Sequence, residues 1–351
     1  MIRIDFVGRG LVLSAILLLN GCSTLPAPSA PPTPAALTQL MATNTIDPGK
    51  LVIHTLPIGA GNCQIAQCPS GNKLIVMDCG SGGAGSQNWS ADTARTYLRS
   101  LVNASTEIAV TVSHPHVDHY RYLPRVLDDL PVRNLYLSRQ LSSYNADFRN
   151  WVAMQQTHAH MNTTTYPGFY ASTYPEADLG CWGPDGHGGW TSDVDSYILG
   201  VNVGAGANEG SLVMAMRHGN FRTTFTGDMT AATEAQLHVP AGLGTLRSNV
   251  LTSPHHGSDS HGSNSTAWAL STQPELVLFS AGTRFHHPRC SAVAVYWGYV
   301  GANSPGHTFH CGANGGWTDV TNTRNVLTTD SNGLIRVHAD SDGTFNFGWG
   351  L

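Results

Sequence analysis

The chain has 351 residues, 41% of them hydrophobic and only 12% charged, which is enough apolar content for a substantial core and excludes a disordered polymer. The net charge is -5 and lysine occurs only at Lys50 and Lys73. With no basic run or stripe, a surface built to track a long polyanion is not in view.

At the start, Arg3 and Arg9 precede an apolar stretch over 11–19 that is too short to span a bilayer comfortably and reads as an export signal. It runs into "LNGC", which is similar to a bacterial lipobox and would make Cys22 a lipidated N-terminus and a membrane anchor; an ordinary cleaved signal is the plainer alternative. Either reading exports the protein, to the periplasm, to the outer membrane as a lipoprotein, or beyond. Residues 23–45, rich in Pro, Ala and Ser, cannot bury a core and read as a tether, so the folded domain is expected over 46–351. Beyond Cys22 stand Cys63, Cys68, Cys79, Cys181, Cys290 and Cys311, an even number that favours disulfides in an oxidising compartment. Short separation pairs Cys63 with Cys68 and Cys290 with Cys311.

From residue 51 onward, "LVIHTLPIG", "KLIVMDCG" and "EIAVTVSH" are short β-branched runs that end at turn residues, as strands do. Between them the spacing of Ala94, Tyr97, Leu98 and Leu101 behind Ser90 predicts a helix over 90–102, and Phe148, Trp151 and Val152 predict another over 142–156. Residues 158–192 show no period and read as a long insertion. Strands return with "SYILGVNV", "SLVMAMRHG" and "FRTTFTGD", then a helix in "AATEAQLHV", a strand in "NVLTSPHH", a helix over 266–270, a strand in "LVLFSAG" and a closing hairpin over 332–349. Strands grouped into sheets with helices between them predict an α/β (α+β) domain of two sheets covered by helices.

The stretch "SHPHVDH" over 113–119 crowds metal-capable side chains where a strand runs into a loop. Side chains two apart on an extended backbone share a face, so His114 and His116 can serve one centre, while Asp118 and His119, beyond the turn, can reach a second. Imidazoles at one and mixed carboxylate and imidazole at the other suit zinc. A polar surface loop is the bland alternative, but Asp228, the pair His255 and His256, and the pair His286 and His287 stand at the ends of other strands and supply the further donors a two-metal site needs.

"HPHVDH" resembles the signature of the metallo-β-lactamase superfamily. The stretches over 56–80, 208–237 and 249–260 are similar to segments of the hydrolase domain of the ComEC competence proteins and of the teichoic acid phosphorylcholine esterases. The resemblance runs from about 51 to 288, apart from the insertion. It implies an αββα sandwich of two mixed β-sheets flanked by helices, with two divalent ions, zinc by type, at one edge. Carried over, His114 and His116 bind the first ion, Asp118 and His119 the second, Asp228 bridges them, and His287 (or its neighbour His286) completes the second. One of His255 and His256 completes the first while the other faces substrate, and Asp78 orients a ligand imidazole. Many superfamily members carry a further ligand histidine before the bridging aspartate; His158, His160, His187 and His218 are available here without a matching context, and Tyr120 to Tyr122 replace the usual small residues.

The resemblance further implies an exported phosphodiesterase that uses a hydroxide bridging the two ions, with Asp118, His255 and His256 as the catalytic residues. Its substrate is then a small-molecule or cell-envelope phosphodiester. An acyl hydrolase of lactonase or β-lactamase type, a nuclease (not favoured for want of basic charge) and a non-catalytic binding module on the same fold are the alternatives. The aromatic residues Tyr166, Tyr170, Tyr174, Trp182 and Trp190 either stack a sugar or a choline-like cation or simply pack the insertion, which is the commoner use.

Overall fold

A computed structural model describes residues 47–83, 88–184 and 190–350. The export signal with its lipobox over 1–22 and the tether over 23–45 lie outside the described residues, as does His187. Among the described residues, no helix is long and apolar enough to cross a membrane.

The apolar runs form strands where expected and pair into two large sheets. In chain order the strands are β1 (Leu51–Thr55), β2 (Gly61–Gln67), β3 (Lys73–Ser81), β4 (Glu107–Val112), β5 (Val132–Leu137), β6 (Asn162–Thr165), β7 (Cys181–Pro184), β8 (Trp190–Gly200), β9 (Val213–His218), β10 (Phe221–Phe225), β11 (Val250–Thr252), β12 (Leu276–Phe279), β13 (His307–Ala313), β14 (Gly316–Asn322), β15 (Val326–Thr328), β16 (Ile335–Ala339) and β17 (Phe345–Trp349). The first sheet runs β17-β16-β1-β2-β3-β4-β5-β6, the second β15-β12-β11-β10-β9-β8-β7, and β13 pairs with β14 alone. Each large sheet is antiparallel on one side and parallel on the other: β3 to β6 are parallel in the first, and β10, β11, β12 and β15 in the second.

The helices are α1 (Ala91–Ser100), α2 (Val117–Tyr120), α3 (Leu123–Val126), α4 (Ala146–His158), α5 (Ala231–Glu234), α6 (Thr266–Thr272), α7 (Cys290–Tyr296) and α8 (Thr329–Asn332). Local chemistry explains their starts. The side chains of Ser90, Asn145 and Ser265 accept from the backbone N–H three residues on, capping α1, α4 and α6. The predicted helix over 142–156 accordingly starts at Ala146, and "AATEAQLHV" gives one turn only.

Because successive side chains of a strand point to opposite faces, Leu74 and Val76 of β3 pack with Leu98, Phe148 and Val152 on the helical side. Ile75 and Met77 face Met214, Met216, Leu276 and Leu278 of the other sheet. A third cluster puts Val213, Leu251 and Val277 under Trp268 and Val293 of α6 and α7. The chain is therefore a four-layer α/β sandwich, two mixed sheets flanked by helices, as its sequence predicts. Strands buried on both faces account for the near-continuous apolar runs.

Two expectations are corrected. Cys63 bonds Cys79 and Cys68 bonds Cys181, while Cys290 bonds Cys311 as predicted. Cys63 lies in β2 and Cys68 just past its far end, about 16 Å away at a strand's rise per residue and out of disulfide reach, whereas Cys63 sits directly across from Cys79 in the β2–β3 register. Three disulfides suit an oxidising compartment outside the cytoplasm. The segment over 158–192 is also more regular than its composition implies: it adds β6 to the edge of the first sheet and β7 to the edge of the second.

Candidate metal centre

The site forms where the parallel strands of both sheets end, the usual location of a binding crevice in such sheets. From the first sheet, β3 delivers Asp78, and β4 runs through Ser113 into His114, Pro115 and His116 before α2 turns back with Asp118 and His119. Glycine makes this turn fit: a Cβ on Gly80 would stand 2.5 Å from both Tyr120 N and Val117 O, and one on Gly61 would stand 2.8 Å from Asp118 O. The ligand-bearing turn thus rests backbone against backbone on β2 and β3. From the second sheet, β10 leads through Gly227 (φ +53°) to Asp228, and β11 leads into His255 (φ 52°) and His256 (φ 56°). Consecutive non-glycine residues in the left-handed region carry strain of about 1–3 kcal/mol each, held by the surrounding structure at functional sites.

Asp228 lies between two groups of donors. Its Oδ1 is 3.1 Å from His119 Nε2 and 3.2 Å from His256 Nε2, and its Oδ2 is 3.7 Å from both His114 Nε2 and His255 Nε2. His114, His116 and Asp228 offer one set of ligand atoms within 4.8 Å of one another, and Asp118, His119 and His256 offer another. Asp228 Oδ1 is buried, and neither nearby imidazole is aligned to donate to it. A buried carboxylate ringed by imidazole nitrogens at these distances fits a cation between them.

The imidazoles are oriented from behind. His119 Nδ1 donates to Asp78 Oδ2 at 2.8 Å and His256 Nδ1 donates to the Ser280 carbonyl at 2.7 Å, so each turns Nε2 to the centre. Asp78, itself at φ 56°, also accepts from Ser113 N at 2.7 Å, Ser113 Oγ at 2.8 Å and Asn62 Nδ2 at 3.0 Å. Burial pushes His114 well below the ordinary imidazole range, reinforced by the charge of His119. Burial also works against the charge of His119, yet Asp228 and Asp78 hold it well above that range. Asp228 is likewise held well below the carboxylate range against its own burial, by His119, His256 and His114.

Above the centre a cavity of about 830 Å³ opens to solvent, walled by His116, Asp118, Asn208, Asp228, His255, His256, Arg284, Phe285, His287 and Arg289 among others. His256 therefore joins the second set rather than the first, since its bond to Ser280 turns it toward Asp118 and His119. His287 lies outside both sets and lines the cavity wall, where burial and the charges of His256 and His255 lower it to about 3. His286 also borders the cavity, its ring against Trp317 with centroids 5.1 Å apart, and belongs to neither set. His218 hydrogen-bonds the Asp193 and Gly49 carbonyls and takes no part in either set, nor do His158 and His160. Asn208 is the residue that sequence reasoning passed over; it stood first in the "NEGSLV" stretch, and only the fold brings its amide to His255 Nε2, at 3.2 Å.

No family model and no curated protein matches the chain. Among solved structures it is similar to a protein of unknown function from Enterococcus faecalis V583 (12% identity, TM-score 0.31, covering 58% of this chain and 49% of that one). It is also similar to the E377D mutant of CmlA beta-hydroxylase (9%, 0.37, 70% and 51%) and to a long form RNase Z from yeast (10%, 0.38, 70% and 38%). The chain spans about half the length of these proteins or less. Likenesses so distant say nothing of what this chain binds or turns over.

Proposed function

We propose that the chain is a metal-dependent hydrolase with two divalent ions, zinc by donor type, and that its substrates are phosphodiesters. The observation that carries the metal reading is Asp228, which turns one carboxylate oxygen to each of two donor sets. Two ions held there would lower the pKa of a water molecule and neutralise charge building on the electrophile. The other tasks fall to the chain's own residues. His114, His116, Asp118, His119 and His256 hold the ions with Asp228. His255 is kept neutral by burial and presents Nε2 beside Asp228, where it can accept a proton.

The phosphodiester choice is supported by Arg284 and Arg289 on the cavity wall, in a chain with few cations, and by the motif likeness to phosphodiester-cleaving relatives. The substrate is taken to be a small or cell-envelope molecule rather than a long nucleic acid. The folded domain over 46–351 would act outside the cytoplasm, held to a membrane through Cys22 if that residue is lipidated.

Purified protein should carry close to two equivalents of metal and hydrolyse bis-(p-nitrophenyl) phosphate. Asp228→Ala should lose both metal and activity, the rate falling by about three orders of magnitude, the scale seen when a charge-stabilising group is removed. A chromogenic β-lactam run in parallel decides the chemistry: turnover of the lactam alone would replace the phosphodiesterase reading with an acyl hydrolase, and metal bound without turnover of either would favour a binding module.

A further inference from the structure

We propose that the carboxamide oxygen of Asn208 is a ligand of the ion held by His114, His116 and Asp228, an inference that rests on the metal reading above. The second set offers Asp118, His119 and His256 in addition to the shared carboxylate, whereas the first offers only His114 and His116 with it. The first ion therefore has one protein donor fewer than the second, and an ion that also holds a water can take a further ligand as its coordination expands to five.

Asn208 has that donor. Its Oδ1 is buried and receives no hydrogen bond, while its Nδ2 lies 3.2 Å from His255 Nε2. His255 Nε2 is in turn 3.7 Å from Asp228 Oδ2, the same oxygen that faces His114. Turning the amide over gives no relief, because Nδ2 would then be the buried group without a partner. Asn208 lines the same cavity as His116, Asp228 and His255, and an ion seated among these side chains would give its oxygen a partner.

The loop is built to hold this side chain still. Arg139 Nη2 donates to the carbonyls of Gly204, Ala205 and Gly206 at 3.1, 3.0 and 3.0 Å. Glu209 accepts from Gly206 N at 3.2 Å, and Thr233 Oγ1 donates to the Glu209 carbonyl at 2.9 Å. Two residues further on, Ser211 Oγ accepts from Asp228 N at 3.2 Å, tying the loop to the backbone that carries the shared carboxylate. An amide oxygen in place of another imidazole makes the first position less nitrogen-rich and widens its tolerance from zinc toward manganese.

The test is calorimetric titration of chelator-stripped protein with Zn2+ alone and with Mn2+ alone, for wild type, Asn208→Ala and Asn208→Asp. Wild type should bind two equivalents. Asn208→Ala should keep one and bind the other about 10- to 100-fold more weakly. Asn208→Asp, which retains an oxygen but cannot donate to His255, should bind both at least as tightly as wild type, Mn2+ most of all. Two tight sites in the alanine variant would overturn the assignment, and so would equal weakening in both variants, since the amide would then act only by holding His255. If Asn208→Ala does not fold, the aspartate variant alone decides on the same criterion. A wild-type protein that binds no ion would instead sink the metal reading itself.

Discussion

Asp78 and His119 are joined by a 2.8 Å hydrogen bond from the imidazole Nδ1 to the carboxylate Oδ2, and that bond decides where the other nitrogen of His119 points. Asp78→Asn should keep the fold, because the amide is of the same size, but one of its present donors would then meet an N–H. Ion affinity should fall about 10- to 100-fold, as it does when the partner behind a ligand imidazole is changed. Asp78→Ala goes further. It leaves Ser113, Asn62 and His119 facing a void, each lost partner costing about 1–3 kcal/mol, and should lower the denaturation midpoint of even the metal-free protein. Unchanged ion binding in Asp78→Asn would show that His119 is oriented by something else.

Gly80 should not tolerate a methyl group. Alanine there would press on the backbone of Tyr120, Val117 and His119, none of which is a flexible chain end. The expected cost is about 1–3 kcal/mol or more in chemical denaturation, with metal stoichiometry reduced because the turn carrying Asp118 and His119 must lift. A variant as stable as wild type with both ions bound would mean that the turn is freer than its packing indicates.

His54, buried in the first sheet and hydrogen-bonded to Tyr97 OH at 2.8 Å, is lowered from 6.5 to about 3 by burial, aided by Arg336 and His338. Between these values the unfolded chain binds a proton at this position and the folded chain does not, so acid favours unfolding. Its contribution to stability is complete above pH 6.5 and is lost as pH falls toward 3, by about 1.4 kcal/mol per pH unit. Metal-free protein and its His54→Asn variant, denatured at several pH values across that window, should differ in slope; equal slopes would remove His54 from the account.

Peptide mapping without reduction should recover Cys68 linked to Cys181. Replacing both by serine should cost about 2–4 kcal/mol, since the bridge closes a long loop in the unfolded chain. Metal stoichiometry should stay at its wild-type value, because Cys68 lies just past the end of β2 remote from Gly61 and the site.

Much of this was legible in residue order. The ends of β4, β10 and β11 announced their donors, and Ser90 and the apolar spacing behind it gave α1. What stayed hidden depends on register and side-chain rotation. Cys63 faces Cys79 across a ladder with an irregularity beside it, between Cys63 and Gln64. Which way His256 turns depends on a carbonyl at Ser280, 24 positions away. β6, "NTTT", carries no apolar alternation because it is an edge strand with a solvated face. The β13–β14 pair also went unread, although Cys311 of β13 ties it to Cys290 of α7.

The bridge from Cys68 to Cys181 joins the two sheets covalently at the margin away from the site. At the opposite margin they meet through hydrogen bonds: Gln64 Nε2 to Thr252 Oγ1 at 2.8 Å, Ser280 Oγ to the Gly61 carbonyl at 2.8 Å, and Leu212 N to the Ser113 carbonyl at 2.8 Å. The two sheets are thus tied by a covalent bond on one side and by hydrogen bonds on the other, across the apolar cluster they share. A ligand that settled between Asp228 of the second sheet and His114 and His119 of the first would stabilise the packing of the two sheets by mass action.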